Sequence, residues 1–183
     1  MKITFVRHGE SEANIAGVIN DDPAQPIHLT EQGKAQAGSA ACRLRSVPFM
    51  QAYASEFPRA RETAEILLGH HDFRWHDCRL IIDSRLNERR SGMDGLPVAE
   101  FNDRVSADPL HTKPGKGESF LEQMERVRGF LDEIAKKHPA GVILAVSHEN
   151  PILAAMALSG KDPEEAVRCH IANCGWVELD WPR

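Results

Sequence analysis

Two short apolar runs, each ending in a histidine, constrain this chain more than any other feature. Ile3 to Val6 is followed by Arg7-His8-Gly9-Glu10, and Val142 to Val146 by Ser147-His148. Runs of this length read as buried strands, the kind found inside an α/β sheet. The C-terminal ends of such strands are where α/β proteins bind ligands. At the first end, Arg7 offers a planar fork of donors that matches phosphate oxygens. His8 is a group that can attack phosphorus and leave again near neutral pH. Gly9 lets the backbone turn sharply and approach a ligand closely.

Two more segments repeat the pattern. Ala52 to Ser55 is a short strand that leads into Pro58-Arg59, and Pro58 suits the first turn of a helix. Arg59 would then lie where helix amides already favour an anion. Arg79 to Asp83 is a strand followed by Leu86-Asn87-Glu88, which places a carboxylate near a strand end. Taken singly, His148 reads equally well as a core histidine, Arg59 as a solvated helix residue and Glu88 as a surface acid. Four such groups at four strand ends favour a phosphate site.

Strand and helix patterns alternate along the 183 residues, which predicts one α/β domain over 1–183. The expected architecture is a three-layer sandwich: a mostly parallel central sheet flanked by helices, with a small lid. Thr30 caps a helix to about Leu44 that Gly33 and Gly38 weaken. Pro58 to Leu68 forms the next, closed by Gly69. Glu118 to Lys137 is the longest, with Phe120, Leu121, Met124, Val127, Leu131 and Ile134 on one face. Pro151 to Leu158 is a buried helix, and Trp176 to Trp181 alternates as a half-exposed strand. Residues 89–116 are rich in glycine and proline, with a short helical piece near Val98 to Val105. They read as the lid, where substrate choice would lie.

The motifs resemble those of the histidine phosphatase superfamily, also called the phosphoglycerate mutase-like family. Arg7-His8-Gly9-Glu10 matches its signature, and Asn14 falls at a phosphate-contact position. Leu29-Thr30-Glu31-Gln32-Gly33, Arg59-Ala60-Arg61-Glu62-Thr63-Ala64, Leu86-Asn87-Glu88, Gly117-Glu118-Ser119, Val146-Ser147-His148 and Asn173-Cys174 follow in family order. The chain departs from the pattern at Glu56-Phe57-Pro58, at Glu62, and at Glu149-Asn150, where a glycine pair is usual.

The resemblance implies phosphoryl transfer through a covalent phosphohistidine. His8 would attack phosphorus, and Arg7, Arg59 and His148 would surround the equatorial oxygens as three cationic groups. Asn14 would add a neutral donor, and Glu149 would border the substrate. Glu88 would protonate the leaving oxygen and then take a proton from water. With that charge present, no metal and no cofactor are expected. Phosphatase is favoured over phosphoglycerate mutase because the lid lacks paired arginines for a second anion. A non-catalytic phospho-ligand binding module is the reading from another class, and the complete set of His8, Glu88 and His148 argues against it.

Composition excludes other roles. The net charge is −5 with no basic tract, so nucleic acid is not an expected partner. No run is long enough to span a membrane, and no signal-peptide pattern is visible. A cytoplasmic location and a small phosphorylated substrate, or a phosphoprotein, are expected. Cys42, Cys78, Cys169 and Cys174 read as reduced thiols, Cys42 as core; a Cys169–Cys174 disulfide has no contextual support. His70-His71-Asp72 and His76-Asp77-Cys78 resemble metal ligands but lack helical i, i+4 spacing.

Overall fold

The computed structural model describes residues 1–69 and 79–182. The elements, in chain order, are β1 (Lys2–Arg7), α1 (Glu12–Ala16), α2 (Glu31–Leu44), β2 (Gln51–Ala54), α3 (Pro58–Gly69) and β3 (Ile81–Ile82). A 3-10 turn (Ser84–Leu86) precedes α4 (Val98–Val105), α5 (Phe120–Lys137), β4 (Val142–Ser147), α6 (Glu149–Leu158), α7 (Pro163–Ala166) and β5 (Trp176–Asp180). The sheet order is β3-β2-β4-β1-β5. The first four strands are parallel and β5 is antiparallel to β1.

Period-two alternation assigns each strand residue to a layer. Ile3, Phe5, Tyr53, Ile143 and Ala145 meet Phe120, Val127, Phe130, Leu131 and Ile134 of α5 and Ile152 of α6. Val6, Ala52, Ala54, Leu144 and Val146 face Ala37, Ala40 and Leu44 of α2 and Ala60, Ala64 and Leu67 of α3. Full burial of each large side chain contributes about 1.5–3 kcal/mol. The α5 layer is built from aromatic and branched residues, whereas the α2–α3 layer is largely alanine, which lets those helices lie close to the sheet.

The register places the chemistry. Arg7 lies beside Ser147, and Ala54 beside Val146. His8, Ser55 and His148, each one residue beyond such a pair, therefore emerge together at one edge of the sheet. Gly33 sets the depth of α2. A Cβ there would stand 2.0 Å from the carbonyl oxygen of Glu10, and one on Gly9 would stand 2.5 Å from that of Gly33. The glycine that weakens α2 locally is thus required where α2 crosses the turn after β1.

Several expected elements are shifted. β3 covers only Ile81–Ile82 of the expected Arg79–Asp83, because it is an edge strand paired solely with Tyr53 and Ala54, and Asp83 instead caps the 3-10 turn. α5 begins at Phe120 because Ser119 is its cap, in a capping box with Glu122. α6 begins at Glu149, two residues before Pro151. α1 and α7, of five and four residues, are too short to leave a periodic signal. Cys42 is exposed rather than core, since it lies off the stripe of Ala37, Ala41 and Leu44. Cys169 and Cys174 are free thiols.

The lid does carry its helix at Val98–Val105. Its beginning is strapped to residues 17–21. Gly95 donates to the Ile19 carbonyl, Ile19 to that of Leu96 and Val98 to that of Gly17. A carboxylate oxygen of Asp21 accepts from Ser91 Oγ at 2.7 Å and from the amides of Ser91 and Gly92 at 3.0 and 2.7 Å. No described helix is long and apolar enough to cross a membrane. The His70 to Cys78 cluster lies outside the described residues.

Candidate active site

A cavity of about 230 Å³ opens at the C-terminal edge of the sheet, and Arg7, His8, Asn14, Arg59, Glu88 and Glu149 all line it. His8 is 3% exposed. Its Nδ1 lies 2.7 Å from the carbonyl oxygen of its neighbour Gly9, which can only accept, so Nδ1 carries the proton. Nε2 is therefore the lone-pair nitrogen, and Arg59 Nε donates to it at 3.2 Å. The imidazole enters the site in the tautomer a nucleophile needs.

Arg59 is buried in the first turn of α3, at 4% exposure. Its Nη1 donates to Asn20 Oδ1 at 2.5 Å, and its guanidinium lies 4.3 Å from the centre of the Phe57 ring. Burial lowers its pKa to about 10, which still leaves it charged at neutral pH. Thr63, one turn along α3, donates to the Arg59 carbonyl and accepts from the Gly9 amide at 3.1 Å. The helix that carries Arg59 is thereby fastened to the turn that carries His8.

His148 is fully buried as the cap of α6. Its Nε2 pairs with Ser55 Oγ at 2.7 Å, its Nδ1 faces Arg59 Nη2 at 3.4 Å, and Phe57 packs edge-on against its ring. Burial, then the Arg59 charge, holds the imidazoles of both His8 and His148 well below the ordinary histidine range. The protonated form of His148, expected as one of three cationic groups, is thus disfavoured by its burial and by Arg59. The third guanidinium on the cavity belongs to Arg89, which is 2% exposed. It donates to the carbonyls of Glu118 and Thr112 at 3.2 and 2.7 Å.

Glu88 borders the cavity with its Oε1 accepting from the Arg89 amide at 2.8 Å. Burial raises its pKa despite the nearby arginines. A carboxyl pushed upward in this way can keep a proton to give away. Asn14 Oδ1 accepts from the Ser11 amide and hydroxyl and from Asn173 Nδ2, which leaves the Asn14 amide nitrogen as its other face.

Arg7 and Glu149 form a pair. Arg7 Nη1 donates to the Ile171 carbonyl at 2.5 Å and lies 3.3 Å from a Glu149 oxygen. The other Glu149 oxygen accepts from the Ile171 amide at 2.8 Å and lies 2.6 Å from His170 Nδ1. Glu149, expected to border the substrate, lines the cavity, with one oxygen beside Arg7 and the other shared by the His170 side chain and the Ile171 amide. Arg7 Nε is buried without a partner among the described residues. Such an orphaned donor on a cavity wall calls for an anionic oxygen.

Of the residues the sequence pattern singled out, Arg7, His8, Asn14, Arg59 and Glu88 line one cavity, and His148 lies buried behind it, with its ring 4.9 Å from that of His8. The pattern missed Asn20, Ser55, Phe57 and Thr63. Ser55 carried a signal, since it directly follows a strand. Asn20 sits in a polar loop and carried none. Arg90 points outward to Glu118, which also pairs with Arg126.

A model of the histidine phosphatase superfamily (branch 1) matches residues 3–183. The chain belongs to that family. Among its relatives, the adenosylcobalamin/alpha-ribazole phosphatase of Salmonella typhimurium is 32% identical over 157 residues, spanning 81% of this chain and 74% of that protein. A 2,3-bisphosphoglycerate-dependent phosphoglycerate mutase of Mesorhizobium japonicum is 30% identical over 184 residues, spanning 93% and 87%. The structure of an alpha-ribazole phosphatase from Shigella flexneri superposes with a TM-score of 0.81 at 28% identity, covering 98% of this chain and 90% of that one. As a histidine phosphatase, the chain is an enzyme of phosphoryl transfer and hydrolysis, and its α/β sandwich is the fold of that family.

Proposed function

We propose that this histidine phosphatase hydrolyses a phosphomonoester through a phosphohistidine on His8. The observation that carries the proposal is the His8 tautomer: the Gly9 carbonyl holds Nδ1–H, so the Nε2 lone pair is the one presented beside Arg59. Nε2 attacks phosphorus in line while the ester oxygen leaves. Arg7, Arg59, the Asn14 amide and His148 receive the equatorial oxygens. A phosphate dianion placed there raises the affinity of His148 for a proton, offsetting its burial. Glu88 gives its proton to the departing oxygen, then takes one from the water that attacks the phosphohistidine.

The mutase reading has Arg89 in its favour, a buried guanidinium on the cavity. Arg89 is already bonded to two carbonyls, however, and Glu149 places a carboxylate on the same wall. A second substrate anion would meet both. The test is 3-phosphoglycerate primed with 2,3-bisphosphoglycerate: free phosphate should appear at least as fast as 2-phosphoglycerate. Isomerisation many-fold faster than release would reverse the choice. Incubation with p-nitrophenyl phosphate should also trap acid-labile, base-stable phosphate on the wild type and none on His8→Ala. Chelators should leave turnover intact. A binding module would release no p-nitrophenol at all.

A further inference from the structure

Glu88 stands on a stretch of chain that no sheet or helix ladder holds. Residues 87–90 follow the 3-10 turn and belong to no regular element, so their buried carbonyls need other donors. The Leu86 carbonyl accepts from Ser147 Oγ at 2.6 Å. Its neighbours go to one side chain of α5. Arg126 Nη1 donates to the carbonyls of Arg85 and Asn87 at 2.7 and 3.0 Å, and Nη2 reaches that of Glu88 at 3.4 Å.

Glu118, 5% exposed, closes the clamp. One of its oxygens accepts from Arg126 Nη2 and from the Arg90 amide, the latter at 3.1 Å. The other accepts from Arg126 Nε at 3.3 Å and from Arg90 Nη2 at 3.1 Å. The Glu118 amide donates back to the Arg90 carbonyl at 2.7 Å. The backbone is thus held before Glu88 by Arg126 and after it by Glu118, and the two holders are bonded to each other. Neither lines the cavity.

We infer that Arg126, anchored by Glu118, is the positioning residue for Glu88 and sets the depth at which its carboxyl meets the leaving oxygen. The inference rests on Glu88 being the proton donor of the phosphatase. Among the described residues, the Glu88 carboxyl has one hydrogen bond of its own, from the adjacent Arg89 amide. Its aim therefore comes from the backbone beneath it. A proton donor must lie within hydrogen-bond reach of the departing atom, and a misplacement of about 1 Å is enough to slow a reaction on the order of 10²-fold. A guanidinium can serve carbonyls on one edge and a carboxylate on the other at once, which the single ammonium of lysine cannot.

The test compares Arg126→Lys with the wild type on n-butyl phosphate and on p-nitrophenyl phosphate, with inorganic phosphate as inhibitor. The value of kcat/KM on the butyl ester should fall roughly 10- to 100-fold, against less than about threefold on p-nitrophenyl phosphate, whose leaving group barely needs a proton. Inhibition by phosphate should be unchanged. In a Glu88→Gln background, Arg126→Lys should cause no further loss on the butyl ester, because both changes act through one carboxyl. Glu118→Gln should show a smaller loss of the same kind, and it carries the same readings if Arg126→Lys fails to fold. Equal losses on both esters overturn the inference, as do full additivity with Glu88→Gln or wild-type rates in both variants. Failure of the phosphatase reading is visible separately, since the wild type would then release phosphate from neither ester. Hydrogen exchange at the Arg89 amide would still read the clamp: Arg126→Lys should speed it about tenfold relative to the Phe5 amide of β1, and an unchanged ratio overturns the inference.

Discussion

Arg59 donates its Nε–H to the very nitrogen of His8 that has no proton, at 3.2 Å. One guanidinium thereby orients the His8 ring and faces His148, while Asn20 and the Phe57 ring hold it in place. Lysine keeps a charge but has neither the fork nor the planar face that stacks on Phe57. Arg59→Lys should lower kcat/KM on p-nitrophenyl phosphate by roughly 10²–10³, the usual loss for one transition-state donor. Steady-state kinetics checks it, and a loss under fivefold would assign Arg59 a purely structural role.

Glu88 borders the cavity with a pKa raised by burial. Its proton is therefore retained to higher pH than an ordinary carboxyl would allow, and activity that needs it declines once the pH passes that raised value. Glu88→Gln should cost much more on alkyl phosphates than on p-nitrophenyl phosphate, whose leaving group barely needs a proton. The variant should also lose that alkaline decline on alkyl esters. Equal losses on both substrate types would place the acid elsewhere.

His8 and His148 are held neutral by burial, with Arg59 adding to the effect. A histidine whose folded pKa is depressed binds more protons unfolded than folded below its ordinary pKa. Its contribution to stability is present above about 6.5 and is lost as pH falls toward the folded value. Thermal unfolding should therefore show Tm falling as pH drops from 7.5 to 5. His8→Gln should make that fall shallower. A variant slope equal to or steeper than the wild type would contradict the assignment.

Gly33→Ala tests the crossing of α2 over the turn after β1. Its Cβ would fall 2.0 Å from a backbone carbonyl oxygen, where no flexible side chain can give way. Destabilisation of about 1–3 kcal/mol is expected from overpacking, with a fall in kcat as the Gly9–Glu10 backbone moves. Denaturant titration alongside kinetics reads both, and a neutral result at this site would falsify the close approach.

Legibility in the sequence followed distance along the chain. The strands β1 and β4 were readable because their burial demands unbroken apolar runs, and each run delivered a site residue at its end. Arg59 and Glu88 were readable because a proline-started helix and a strand end place them by local rules. The downward shift of the His148 pKa was not, since it depends on depth and on Arg59, neither of which is a local property. Glu149 was assigned to substrate because it follows His148; only the fold brings Ile171 and His170 back to occupy it. Asn20 reaches Arg59 across 39 residues of sequence, and no pattern around it announces that contact.

The Asp21 strap has a consequence for how such an enzyme can change substrate. One carboxylate binds the first residues of the lid, while the adjacent Asn20 holds Arg59. The start of the lid and the Arg59 side of the cavity are thus mechanically joined through two adjacent residues. A lid transplanted from a relative at residues 91–97 alone would release Asp21, loosen Asn20 and slacken the grip on Arg59. Exchange of the lid therefore requires residues 17–22 to travel with it, because the strap that fixes its start is built from both stretches.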